Sequence, residues 1–194
     1  MDICGEIQRT IDKLTSYKEN VEKASDALDE LETNKVFSKK EYDLRDQQVY
    51  NDLISLLSQA TNNKGGIYLF GFEDDKIESY KKDFIKQYDK RKKAVTYNLS
   101  KINTNCKYSY LYIGKNEKDI DKRILEHLNC ASDSTYAMKL KDDKTFGTDK
   151  ITNHLKLTTY YFNGEVGWTE KLILSLLKKE LHEKYKPMLG GSRV

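Results

Sequence analysis

The spacing of apolar residues changes near residue 65, and this change constrains the fold more than any other feature of the sequence. Before it, single apolar residues recur every three or four positions, as in amphipathic helices. After a turn-rich stretch at 62–66 comes Ile67–Phe72, an aromatic and β-branched run typical of a strand. The chain is therefore expected to begin with helices and to continue as a mixed unit of strands and helices.

Residues 1–62 are predicted to form an antiparallel helical hairpin. After Thr33–Lys35, Ser38 and Glu41 have the spacing of a capping box, which predicts that the second helix begins there. The apolar positions of the two helices are Ile3, Ile7, Ile11, Leu14, Tyr17, Val21, Ala24, Leu28 and Leu31, then Tyr42, Val49, Leu53, Leu56 and Ala60.

Residues 63–194 are predicted to form the main domain, in which strands alternate with helices. In the second strand Tyr108, Tyr110 and Tyr112 are expected to share one face, because side chains alternate along a strand. The predicted strands are 67–72, 106–113 and 155–162, and the predicted helices are 76–93, 119–128 and 168–184.

The composition excludes several protein classes. Charged residues make up 34% of the 194 residues and the mean hydropathy is −0.79, so no stretch is apolar enough to cross a membrane. The first thirty residues lack the apolar core of a signal peptide, which leaves the cytoplasm as the default location. The three cysteines form no CxxC pair, so neither a disulfide framework nor a zinc site is indicated.

Charge is divided unequally along the chain. Residues 1–64 carry 9 Lys and Arg against 13 Asp and Glu, whereas residues 65–194 carry 25 against 18. A basic main domain fits a polyanionic partner, because cations that neutralise phosphates release condensed counterions. Many basic domains have other partners, so this feature alone does not assign a function.

Two glycine–tyrosine tripeptides lie on predicted strands, Gly66-Ile67-Tyr68 and Tyr112-Ile113-Gly114. The second leads into Lys115 and then into a helix that carries Arg123 and His127 one turn apart on one face. Glu170 begins the last helix. Each of these residues alone is more often structural than catalytic, so the ordered set carries the argument.

This ordered set resembles the GIY-YIG nuclease superfamily over roughly residues 65–191. The resemblance implies an α+β fold with a small three-stranded antiparallel sheet flanked by helices, here preceded by the helical hairpin. It also implies that Tyr68 and Tyr112 are the motif tyrosines, that Arg123 is the signature arginine, and that Glu170 is the metal ligand. His127 lies where many members have histidine or tyrosine, and Lys115 matches a lysine found in some members.

The chemistry of phosphodiester hydrolysis gives each residue an expected role. Glu170 can hold one Mg²⁺, or Mn²⁺, as a hard carboxylate ligand. Arg123 can grip two phosphate oxygens while Lys115 adds charge to the same centre. His127 is expected to accept or relay a proton from Tyr68, whose pKa would have to fall for it to act as a base, and Tyr112 is expected to position the water or phosphate.

The chain departs from the family pattern in two places. A basic helical insertion at about residues 74–104 separates the tripeptides, and an asparagine often found after the final proline is replaced within Pro187–Gly190. The insertion helix has either a solvated face or a phosphate-contacting one. In the second case, the nucleic-acid-binding residues are Lys81, Lys82, Lys86, Lys90, Arg91, Lys92 and Lys93.

Two functional hypotheses follow. The first is a metal-dependent DNA endonuclease resembling the restriction enzymes of this superfamily, acting on double-stranded DNA. A homodimer would suit it, because two active sites related by a two-fold axis match a palindromic site. The alternative is a nucleic-acid-binding or assembly protein on a catalytically impaired scaffold, which the missing asparagine favours.

Overall fold

The structure is a computed structural model that describes residues 37–60, 64–73, 78–107, 109–129, 132–141 and 151–191, with single positions 12, 15, 16 and 19. It confirms an α+β fold. The described elements are β1 (Phe37–Asp43), α1 (Gln47–Gln59), β2 (Gly66–Phe72), α2 (Glu78–Ala94), β3 (Tyr110–Asn116), α3 (Ile120–Leu128), a 3₁₀ turn (Ile151–His154), β4 (Leu155–Phe162) and α4 (Trp168–Tyr185).

The four described strands form one antiparallel sheet in the order β1-β4-β2-β3. Three of them were predicted, and the fourth, β1, replaces the first part of the predicted second hairpin helix. Phe37–Asp43 pairs along its whole length with β4, with Phe37 opposite Phe162 and Asp43 opposite Lys156. The predicted hairpin is therefore not confirmed, and its first helix lies outside the described residues except for the four single positions.

The true start of α1 explains the error. Asp46 is the N-cap, and its carboxylate accepts hydrogen bonds from the backbone N–H groups of Gln48 (2.8 Å) and Val49 (3.3 Å). Ser38 and Glu41 have capping-box spacing but lie on a strand. Backbone pairing with β4 decides the conformation of this segment, and a short capping motif does not predict such long-range pairing.

The sheet separates two apolar clusters. On one face, Tyr68 and Phe70 of β2 pack with α1, α2 and α3. On the other face, Ile67 and Leu69 pack against Leu174, Leu177 and Leu181 of α4. We call these the α3 face and the α4 face, because strand side chains alternate between the two.

A β-bulge in β3 alters the expected tyrosine face. The register with β2 shifts so that Phe70 pairs with Tyr112 while Gly71 pairs with Tyr110. Tyr110 consequently packs on the α4 face, with its ring 4.7 Å from that of Tyr185, whereas Tyr112 packs on the α3 face. The prediction that these two tyrosines share a face is wrong, and Tyr108 lies outside the described residues.

Among the residues described, no helix combines the length and the apolar character needed to cross a membrane.

The place of β1 in the sheet can be tested with Phe37. Its side chain is 3% exposed and packs edge-on against Phe162 at 5.2 Å. We expect Phe37→Ala to lower the free energy of unfolding by about 3 kcal/mol, measured by urea titration, because a large core side chain is removed. Leu56→Ala is the control, since Leu56 is 54% exposed on α1 and should change stability by less than about 0.5 kcal/mol. Equal effects of the two substitutions would contradict the sheet described here.

Candidate active site

Gly114 makes room for two tyrosine rings on the α3 face. It pairs directly with Tyr68 across the β2–β3 ladder. A Cβ atom on Gly114 would overlap the Tyr68 ring at its hydroxyl end and lie 2.7 Å from Cε1 of Tyr112. Because glycine has no side chain, the two rings lie nearly parallel over β3, with centroids 6.0 Å apart and an angle of 12°.

Gly66 has a different packing role. A Cβ atom there would overlap the backbone carbonyl oxygen of Tyr160, which lies on the neighbouring strand β4. The glycine of the first tripeptide therefore permits close strand pairing, and the glycine of the second permits close ring packing. Both tripeptides are needed to set Tyr68 and Tyr112 side by side.

His127 of α3 is fully buried and joins this ring pair. Its Nε2 lies 2.9 Å from the Tyr68 hydroxyl, and its Nδ1 accepts a hydrogen bond from the Met138 backbone N–H at 3.1 Å. A backbone N–H can only donate, so Nδ1 carries no proton. In neutral His127 the proton is therefore on Nε2, which donates to the Tyr68 oxygen.

Burial holds His127 in this neutral form. Loss of solvation lowers the pKa of His127 well below its ordinary value, and the nearby positive charge of Arg123 lowers the pKa further. Since Nε2 already carries a proton, His127 in this arrangement cannot accept the proton of Tyr68. This geometry does not favour the expected relay role of His127, because the ring is placed as a hydrogen-bond donor to Tyr68.

The two tyrosine hydroxyls are protonated at neutral pH. Burial raises the pKa of Tyr68 well above its ordinary value and also raises the pKa of Tyr112. The hydrogen bonds run from the Met138 N–H to His127 and from His127 to the Tyr68 hydroxyl, and the Tyr68 ring lies against that of Tyr112.

Arg123 of α3 lies near the two tyrosines. Its charge and hydrogen bonding lower the pKa of both tyrosines, opposing the effect of burial. Nη1 donates to Glu126 at 2.6 Å, and Nη2 donates to the backbone carbonyl of Tyr136. The side chain remains 18% exposed, so an anion can reach it from solvent.

Lys115 and Glu170 are placed on the α4 face. The Lys115 ammonium donates to Glu117 at 2.8 Å and to the Ser175 hydroxyl of α4. Glu170 is the third residue of α4, and its Oε2 would be 2.9 Å from a Cβ atom built on Gly167, the N-cap. A carboxylate at this position is favoured by the helix dipole and can fold back to cap the helix. Four of the six predicted catalytic residues therefore meet on one sheet face, and two lie on the other.

The edge of the sheet brings the two faces together at Lys178, a residue that the sequence did not single out. Burial lowers the pKa of Lys178, and the positive charges of Lys115 and Arg123 lower it further. On α4, Lys178 follows Ser175, which contacts Lys115, and precedes His182, whose Nε2 donates to the Ile113 carbonyl at 2.8 Å. The positive charges of Lys115 and Arg123 therefore both act on Lys178.

A sequence signal for Lys178 exists but is weak. Ser175, Lys178 and His182 have the three- and four-residue spacing of one helix face, beside the apolar stripe that contains Leu174, Leu177 and Leu181. In a chain with 34 lysines and arginines, one more lysine on a helix does not stand out.

Gly190, where the family resemblance predicts an asparagine, is required by the packing of Tyr112. Gly190 has φ +101°, in the region that favours glycine, and a Cβ atom there would lie 2.9 Å from Cε2 of the Tyr112 ring. An asparagine would need both a strained backbone and a displaced ring. A different asparagine, Asn103, donates to the Pro187 carbonyl at 2.8 Å and holds this segment.

The predicted basic helix is present as α2, but two of its cations are buried. Lys81 and Arg91 are each 2% exposed, with the Lys81 ammonium 4.5 Å from the Phe72 ring centroid and the Arg91 guanidinium bonded to Tyr97 and Lys139. Their burial removes these two from the proposed nucleic-acid surface. The exposed candidates are Lys82, Lys86, Lys90, Lys92 and Lys93.

The donor set allows only a sparse metal site. Within the described ranges, no three His, Cys, Asp or Glu side chains come together to hold a metal ion. Mg²⁺ usually keeps several waters and binds through one or two carboxylates together with substrate phosphates. Glu170 could supply one carboxylate of this kind, and the described residues offer no closed metal cage.

Comparison of the chain with models of known protein families, with curated proteins and with solved structures finds no match.

The buried neutral state of His127 predicts a pH-dependent stability. The unfolded histidine has a pKa of about 6.5, whereas the folded one has a lower pKa, so the unfolded state binds the extra proton first. The stability that neutral His127 contributes is complete above about pH 7. As the pH falls toward 5, the free energy of unfolding declines by up to about 1.4 kcal/mol per pH unit. Urea titrations at several pH values should give a shallower slope for His127→Gln than for the wild type. Leu56→Ala, which changes an exposed side chain that does not titrate, should keep the wild-type slope, and a wild-type slope for His127→Gln would contradict the assignment.

Proposed function

We propose that this chain is a metal-dependent endonuclease that hydrolyses DNA phosphodiester bonds, most closely resembling restriction endonucleases of the GIY-YIG superfamily. The observation that carries the proposal is the tyrosine pair beside Arg123, in which Tyr68 accepts a hydrogen bond from the buried His127 and its ring lies against that of Tyr112. The positive charge of Arg123 acts on both tyrosines. An anion such as a phosphate can approach Arg123 and Tyr112 from solvent.

The electrostatics favour a phosphate that gains negative charge during reaction. Arg123 has a planar guanidinium that can donate two bonds to phosphate oxygens, and Lys115 and Lys178 add positive charge at the same edge of the sheet. Fixed donors of this kind stabilise a pentacoordinate phosphorane more than the ground state, because they are already oriented before the charge develops. The arrangement therefore supports transition-state stabilisation by donors in place of base catalysis by Tyr68.

The hydrogen bond from His127 strengthens Tyr68 as a donor. When His127 donates to the Tyr68 oxygen, the Tyr68 hydroxyl becomes a better donor, and the Tyr68 ring also fixes the neighbouring ring of Tyr112 by packing. Tyr112 is 8% exposed and Tyr68 only 1%, so Tyr112 is the tyrosine that would contact the phosphate. Tyr68 and His127 act behind it as positioning residues.

A bound metal ion would be held by Glu170 and would supply Lewis-acid stabilisation of a phosphate oxygen and of the departing 3′ oxygen. The exposed lysines of α2 would add sequence-independent contacts to the DNA backbone. A symmetric pair of chains would allow both strands of a palindromic site to be cut, which is the reason to propose a homodimer. A cytoplasmic location remains part of the proposal.

The rival function is DNA binding or assembly without catalysis. It is favoured by the position of Glu170, whose carboxylate folds toward Gly167 at the start of α4, on the face opposite Tyr68. In this reading, the tyrosines, His127 and Glu170 are structural, and only the cations retain a function. The two functions predict different results with the same DNA.

The test is cleavage of plasmid DNA with Mg²⁺ or Mn²⁺, comparing two tyrosines of the same strand. We expect Tyr112→Phe to slow cleavage on the order of 10²-fold, because a donor to the phosphate is lost. Tyr110→Phe should leave the rate unchanged, since Tyr110 packs on the α4 face against Tyr185. Glu170→Gln keeps the size of the side chain but removes the proposed metal ligand. Addition of the metal ion should therefore no longer raise the cleavage rate of this variant.

Three results would count against the nuclease. They are a wild-type protein that does not cut, a Tyr112→Phe variant as fast as wild type, and a Glu170→Gln variant with unchanged metal dependence. A wild-type protein that retards DNA in a gel without cutting it would favour the rival function.

A further inference from the structure

The segment 132–141 supplies the backbone groups that hold the proposed site. The Met138 N–H donates to Nδ1 of His127 at 3.1 Å, and the Leu140 N–H donates to the His127 carbonyl at 2.9 Å. The Tyr136 carbonyl accepts from the Arg123 guanidinium. Small movements of this segment would therefore alter both Arg123 and the proton position on His127.

The insertion between the two tripeptides holds this segment from its other side. Arg91, near the end of α2, donates from Nη1 to the Lys139 carbonyl at 3.0 Å. Its Nε and Nη2 donate to the Tyr97 hydroxyl at 3.1 and 2.7 Å. The Ser100 N–H adds a bond to the Ala137 carbonyl at 3.1 Å. The insertion thus reaches the segment through one buried guanidinium and a short backbone contact.

The backbone of Lys139 makes this support necessary. Its φ is +55°, in the left-handed region that residues with a side chain seldom adopt. In this conformation its carbonyl faces Arg91, while the N–H groups of the two flanking residues face His127. A backbone of this kind persists only where its surroundings fix it. The Lys139 ammonium contributes by donating to the Ser132 carbonyl and by lying 4.6 Å from the Tyr97 ring centroid.

We propose that Arg91 is a positioning residue of the site and that the insertion sets the tautomer of His127. By holding the Lys139 carbonyl, Arg91 keeps the Met138 N–H on Nδ1, so the ring proton stays on Nε2 and is donated to Tyr68. Its effect on catalysis rests on the proposed function, whereas its effect on the histidine does not. The 43 residues between Tyr68 and Tyr112 then include a brace for the site as well as a basic helix.

A structural role alone would give a different outcome. Arg91 is buried, so its loss can destabilise the whole protein without moving the proton on His127. Phe37 packs on the α4 face, away from the segment 132–141, and Phe37→Ala therefore reproduces a loss of stability without touching the brace. The tautomer of His127 separates the two roles.

The experiment measures the ring nitrogens of His127 by long-range ¹H–¹⁵N NMR at neutral pH, in the wild type and in four variants. The chain has three histidines, so His127→Gln assigns the signals. In the wild type we expect an unprotonated Nδ1 and a protonated Nε2. In Arg91→Met the Nδ1 signal should move toward the protonated position, because the Met138 N–H is no longer held in place. Phe37→Ala and Gln87→Met, the latter exposed on the same helix, should keep the wild-type signals.

Arg91→Lys provides a second variant in case Arg91→Met does not fold. The Arg91 guanidinium donates three hydrogen bonds, two to the Tyr97 hydroxyl and one to the Lys139 carbonyl. The single ammonium of a lysine cannot reproduce all three. We expect a smaller shift of the Nδ1 signal in the same direction. Wild-type His127 signals in a folded Arg91→Met or Arg91→Lys protein would overturn the proposal.

Cleavage kinetics then link the brace to the reaction. Loss of a residue that orients a functional histidine typically costs 10- to 100-fold in activity. We expect Arg91→Met to lower kcat by roughly this factor with KM unchanged, because DNA contacts are not removed. A shifted His127 signal in a protein whose wild type cuts no DNA would uphold the brace and refute the nuclease. A wild type that cuts DNA, together with unshifted His127 signals in Arg91→Met, would uphold the nuclease and refute the brace.

Discussion

The His127 ring lies between the Met138 N–H at Nδ1 and the Tyr68 hydroxyl at Nε2, and the arrangement of the site depends on these two bonds. They fix the ring proton on Nε2, so that His127 donates to Tyr68, whose ring lies against that of Tyr112. A histidine with the other tautomer would present a bare Nε2 to Tyr68 and reverse the bond between them. The site is therefore sensitive to the backbone of residues 137–140, which are distant from the tyrosines in sequence.

The glycines of the two tripeptides serve this arrangement by their lack of a side chain. Gly66 lets β4 approach β2, and Gly114 lets the Tyr68 ring lie across β3 beside Tyr112. Gly190 serves the other side of the Tyr112 ring. The tripeptides are thus conditions for placing a tyrosine pair, and the chemistry comes from the groups around the pair. A protein that binds DNA without cutting it could therefore keep the same glycines and the same tyrosine pair.

The elements that the sequence predicted well are those with strong local signals. The strand 155–162 and the helices at 119–128 and 168–184 agree closely with β4, α3 and α4, since their apolar spacing alone decides them. Helical spacing also places Arg123 and His127 on one face of α3, whereas their approach to the two tyrosines was expected from the family resemblance. β1 could not be predicted in this way, because pairing with a strand more than a hundred residues later determines its conformation.

Other features depend on partners that no local pattern reveals. Lys81 and Arg91 are charged residues in a basic helix, and their burial depends on Phe72, Tyr97 and the Lys139 carbonyl, which come from other segments. The direction of the His127 proton depends on one backbone N–H. Such details need three-dimensional contacts, and they change the assigned role of His127 from proton acceptor to donor.

The most direct measurement of the central claim is a double-mutant cycle on DNA cleavage with Tyr68→Phe and His127→Gln. If both residues act through one chain of hydrogen bonds, each substitution should slow cleavage on the order of 10²-fold, and the double variant should be no slower than the slower single variant. Two factors that multiply, to about 10⁴-fold in the double variant, would show that Tyr68 and His127 act independently and would contradict the account.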